Sequence, residues 1–130
     1  MIASVLTPKL QSRFPGRGLR VGSPPAPCAV FPAMHPEVGG VEIYDDGSEL
    51  TVVAGKFTHG HFSNYDDSLS DNQKDEEIAE AVVAFLDKLF ADQIILWGSH
   101  QGGGGWYNAG NEESDFSRNK KKYLWSGPLS

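Results

Sequence analysis

Cysteine is almost absent. Cys28 is the only one in 130 residues, which excludes an internal disulfide and any cluster of thiolate metal ligands. A lone thiol suits a reducing compartment, so a cytoplasmic setting is expected. Cys28 follows a proline-rich stretch beginning at Ser23 and precedes an apolar run, which is the place of a strand-edge or core cysteine rather than a nucleophile. Long apolar runs are also missing. None approaches the roughly 18 consecutive apolar residues that a membrane span needs, so no contact with a membrane is expected. The nucleophile-elbow string Gly-x-Ser-x-Gly does not occur.

Acidic residues are missing from positions 1–36, where Lys9, Arg13, Arg17 and Arg20 give a charge of +4. Basic residues are scarce from 37 to 115, where all 17 carboxylates stand against Lys56, Lys74 and Lys88 for a charge of −14. Arg118 and Lys120 to Lys122 return +4, and the whole chain carries −6. An acidic body repels phosphate backbones, so nucleic acid is not the expected partner. The basic ends are expected to be solvated, with the domain's own acidic face as the other surface they can touch. An Arg-bearing, acid-free start has the composition of an organelle transit segment, but a loose basic leader explains it as well and is the reading preferred.

What is present is globular. Apolar residues make up 39% of the chain, and 15 Gly and 8 Pro allow for generous loops, so one domain with a modest core is expected. Residues 1–27 form a basic, Pro/Gly-rich N-terminal segment. Pro8 interrupts the helix-like spacing of Val5, Leu6, Leu10 and Phe14, so any helix here is predicted to start near Thr7 and stop before Pro15. Residues 28–110 are expected to hold an α+β domain, and residues 111–130 a polar, basic tail with an aromatic cluster at Tyr123, Leu124 and Trp125.

Within the 28–110 region, 28–34 reads as a short strand limited by Pro32. Val41 to Tyr44 alternates in polarity, Asp45-Asp46-Gly47-Ser48 supplies a turn, and Glu49 to Phe57 resumes as a strand. Asp-Gly between alternating runs predicts a hairpin. Its apolar face carries Val41 and Ile43, and its second strand is expected to continue through His59 and His61 to Phe62. Ser70 with Gln73 makes a capping box, and Ile78, Val82, Phe85, Leu86, Leu89 and Phe90 form one stripe of a helix running to about Phe90. Gln93 to Trp97 reads as a buried strand, and Gly102 to Gly105 as a flexible turn or hairpin tip. The fold class is therefore a small, mostly antiparallel sheet with one long amphipathic helix packed on one face.

Two constellations bear on function. In Thr58-His59-Gly60-His61 the two imidazoles point the same way along a regular strand. With Asp66 or Asp67 as third ligand they make a candidate zinc site for a metal-dependent hydrolase. This string of four residues is similar to the opening of the metallo-β-lactamase metal motif. That motif continues with Asp-His where Phe62-Ser63-Asn64 stand here, so no role is carried over. The second constellation is a contact surface. Trp106 and Tyr107 beside the glycine run, and Glu76 and Glu80 on the helix, are candidate binding residues for a basic protein partner, with self-association as the other possibility. Glu42, Glu49 and Lys56 read as a solvated sheet face with cross-strand charge pairs. With no complete catalytic constellation in view, a non-catalytic protein-binding module is the leading expectation. No cofactor is expected in it, and zinc belongs to the alternative.

Overall fold

The described residues form two antiparallel sheets and two helices. The computed structural model describes residues 2–56, 58–99, 102–111, 118 and 120–129. In chain order the elements are α1 (Ile2–Arg13), β1 (Arg20–Val21), β2 (Ala29–Phe31), β3 (Val41–Asp45), β4 (Glu49–Ala54), β5 (Thr58–Ser63), α2 (Asp71–Phe90), β6 (Ile94–Ser99), β7 (Gly102–Asn108), β8 (Lys121–Leu124) and β9 (Gly127–Pro128). The first sheet has the order β1-β2-β3-β4-β5 and the second β7-β6-β8-β9. This is the α+β class that the sequence pattern predicts, with a second sheet that the pattern did not separate from the first.

The β3–β4 hairpin forms where Asp-Gly places it. Gly47 has φ +94°, a conformation that costs glycine little, and the Asp45 side chain accepts from the Gly47 amide at 2.9 Å. The register pairs Val41 with Ala54 and Ile43 with Val52, and all four side chains are buried. The predicted continuation of β4 through the histidines does not occur. Gly55 turns the chain with φ +70° and donates its amide to the Gly40 carbonyl at 2.8 Å, so 58–63 folds back as a separate antiparallel strand.

α2 spans the residues its pattern predicts. Ser70 caps it: its hydroxyl accepts from the Gln73 amide at 3.2 Å, and the Gln73 side chain accepts from the Ser70 amide at 2.9 Å. Every member of the stripe from Ile78 to Phe90 is buried, and the helix packs against the first sheet. Ser70→Ala leaves the Gln73 amide without its side-chain acceptor. We expect it to lower stability by about 1 kcal/mol in urea unfolding, with the slope of the transition unchanged.

α1 departs from expectation. It begins at Ile2 and runs through Pro8, which lies on its exposed side. Its early start has a tertiary cause, because Asp45 on β3 accepts from the Ala3 amide at 2.9 Å and places a carboxylate at the positive end of the helix. Ile2, Leu6 and Leu10 recur every four residues and are fully buried. The basic residues of this segment are not simply solvated. The Lys9 ammonium lies 2.5 Å from Glu76 and 2.7 Å from Glu80, and Arg13 lies 2.9 Å from Asp87. The pairs advance together along both helices, so α1 and α2 run side by side in the same general direction.

The glycine run is a strand rather than a loop tip. In β7, Gly105 pairs with Trp97, and a Cβ on Gly105 would sit 2.7 Å from the Trp97 ring, so the strand needs glycine there. A similar relation joins the two sheets: Gly60 of β5 leaves room for the ring of Trp106 on β7. The C-terminal aromatics dock through β8, which lies between β6 and β9. Tyr123 and Trp125 belong to the same core cluster as Leu6, Phe31 and Leu86. Among the described residues no helix is both long and apolar enough to cross a membrane.

Candidate functional site

β5 alternates, and its inward row is Thr58 and Gly60, both buried. His59 and His61 are left exposed on the outer face, with their rings 5.3 Å apart at 83°. Register extends this face across three strands. Glu42, Val53 and His59 form one row, and Tyr44, Thr51 and His61 form the next. The Tyr44 hydroxyl donates to Glu42 at 3.2 Å within the face. Desolvation, followed by the bond to Glu42, holds the Tyr44 phenol above its ordinary range.

His61 does converge with two carboxylates, but they are not the predicted ones. Asp46 in the β3–β4 turn, Glu49 at the start of β4 and His61 place one potential ligand atom each within 4.8 Å of one another. The His61 Nδ1 is 3.7 Å from Glu49 and 3.1 Å from the Thr51 hydroxyl. Thr51 also donates to Asp46. With its one proton committed to Asp46, Thr51 accepts from the Nδ1–H of His61, which ties the three side chains together.

His59 and Asp66 stand outside this cluster. Asp66 closes its own loop instead, accepting from the Ser68 hydroxyl at 2.6 Å and the Ser68 amide at 3.0 Å. Those two bonds hold its carboxyl below the ordinary range. Among the described residues Glu42, Glu49 and Lys56 form no cross-strand ion pair with one another, and Glu49 stands near His61 of β5 instead. Lys56 falls in the turn after β4, and Glu42 and Glu49 face Val53 and Ser63. Asp46 and Glu49 are not legible as neighbours of His61 as long as β4 is taken straight through Gly55. A turn at Gly55 is the signal that recovers them, since folding back there brings His61 beside Thr51 and its neighbours.

The candidate contact residues sit elsewhere. Trp106 is on β7 rather than on a loop, half-buried, with its ring 5.2 Å from that of Phe85. Tyr107 is half-buried opposite Ile95. Glu76 and Glu80 are exposed but flank the Lys9 ammonium. Their hydrogen bonds, Glu76 first, raise the Lys9 pKa. Cys28 is buried in the core, and its thiol is pushed up to about 11, first by burial and then by the charge of Asp45, so it stays protonated and unreactive at neutral pH. His100 and residues 112–117 lie outside the described residues. Compared with protein-family models, with curated proteins and with solved structures, the chain matches none.

Proposed function

We propose that the protein is a non-catalytic binding module that engages a cationic protein segment through the outer face of β3, β4 and β5. One observation carries this reading. The outer rows of these strands carry Glu42 and Glu49, the intervening turn adds Asp46, and none of the strands contains a lysine or arginine. The carboxylates of α2 are less available, because Lys9 and Arg13 of the same chain already stand against Glu76, Glu80 and Asp87. The contact surface therefore moves from the helix to the sheet. Its rows alternate carboxylate, aromatic, hydroxyl and imidazole groups at strand spacing, which suits an extended basic segment laid across it. Nucleic acid is disfavoured there by charge. The setting we propose is the cytoplasm, where a single buried thiol stays reduced.

A lysine-rich decapeptide titrated by calorimetry is the test. We expect Glu42→Gln combined with Glu49→Gln to weaken binding about tenfold, roughly one order per 1.4 kcal/mol. The pair Glu76→Gln and Glu80→Gln leaves it nearly unchanged, and raised salt weakens the wild-type complex. A salt-indifferent complex, or one untouched by the sheet-face substitutions, removes this reading. A mass that rises with concentration in light scattering supports self-association instead.

A second reading, a zinc-dependent hydrolase, is favoured by the convergence of Asp46, Glu49 and His61. Two carboxylates and one imidazole match the hard and borderline donors that zinc accepts, and three protein ligands leave a fourth position for water. On this reading zinc binding is lost in His61→Ala and kept in His59→Ala. Absence of zinc uptake by the wild type sinks it.

A further inference from the structure

On the opposite end of the fold, Pro15 and Gly16 end α1 and carry Arg17 back over the end of α2. An open cleft of about 720 Å³ lies there. Its floor is a continuous aromatic surface: Phe14 and Phe90 meet edge-on at 5.1 Å, and Phe90 and Trp125 lie 5.0 Å apart. Pro32 and Met34 complete the wall, and Met34 is 63% exposed. The volume falls within the range of small-molecule sites, which is about 300–1,000 Å³.

One polar group lining this cleft is unmatched, and a second, shut off from solvent, belongs to a residue of its wall. The Arg17 guanidinium sits 4.4 Å above the centroid of the Phe90 ring, with no carboxylate in ion-pair range among the described residues. Its neighbour Arg13 differs, being held by Asp87. Trp125 is only 2% exposed, and its indole N–H finds no acceptor among the described residues. A buried donor without an acceptor is costly, and a cation fixed on an aromatic face keeps its outward N–H groups for an anion. From the cavity, the cation and the orphaned donor together, we infer that this cleft binds a small aromatic anion, its ring against Phe14, Phe90 and Met34 and its charge against Arg17. The cleft is separate from the outer sheet face, so either proposal can fail alone.

The probes are 8-anilinonaphthalene-1-sulfonate, an aromatic anion, and N-phenyl-1-naphthylamine, its uncharged counterpart. Binding is followed by fluorescence and by the Trp125 indole N–H resonance. We expect one sulfonate per chain, bound about tenfold more tightly than the amine, with a shift of the Trp125 resonance. Arg17→Met should reduce sulfonate affinity to that of the amine, and Arg17→Lys should restore part of it. A thermal melt of each variant shows that it remains folded. Equal affinity for the two probes, several sulfonates per chain, an unmoved Trp125 resonance or an unaffected Arg17→Met variant overturns the inference.

Discussion

Gly60→Ala is expected to destabilise the protein by about 3 kcal/mol, at the upper end of what overpacking usually costs. The added Cβ would lie 2.4 Å from Cη2 and 2.8 Å from Cζ3 of Trp106, well inside contact distance. A flexible side chain would swing away, but Trp106 is a rigid ring already set against Phe85 at 5.2 Å, and Phe85 in turn meets Phe62 at 5.7 Å. The indole must leave its seat, and with it goes the contact that joins β5 to β7. Urea unfolding should show the loss of stability, and tryptophan emission of the folded variant should shift to longer wavelength. An unchanged midpoint and spectrum would mean that Trp106 does not occupy this seat in solution.

Leu86→Ala should cost about 3–4 kcal/mol, in line with other buried leucine truncations. Leu86 is fully buried in the middle of the α2 stripe, within the cluster that also holds Phe31, Leu50 and Leu89. Two effects add. The side chain loses its transfer out of water, and the neighbouring rings and strands relax only partly into the gap. A small domain has about 5–15 kcal/mol of stability in all, so this one substitution should lower the melting temperature by well over 10 °C. Circular dichroism during a melt measures it. A loss below about 1 kcal/mol would mean that the helix does not seat this face on the sheet.

These two sites differ in how they could be known. Leu86 is legible from its spacing to Val82, Leu89 and Phe90, because a helix repeats within four residues and its buried stripe is written locally. The same holds for the Ser70–Gln73 cap and for the turn at Gly47. Gly60 is legible only as a glycine in a strand, since the reason for it, Trp106, is far away in the chain. The two histidines of β5 show the same division. Alternation along β5 places His59 and His61 on one face, but which carboxylates reach them depends on the reversal at Gly55. That reversal brings in Asp46 and Glu49 and leaves Asp66 to its own loop with Ser68.

The sequence by itself determined α2, its cap, the β3–β4 hairpin, the buried state of Cys28 and the segregation of charge, because each follows from contacts a few residues apart or from composition. Tertiary structure decided the rest. It started α1 at Ile2 with a carboxylate from Asp45, and it set Lys9 and Arg13 against the acids of α2. It also turned four glycines into a strand against Trp97 and assembled the aromatic floor beneath Arg17 from three separate parts of the chain. A helix end, an ion pair or a ring seat needs a partner in space, and no local pattern says which distant residue will supply it.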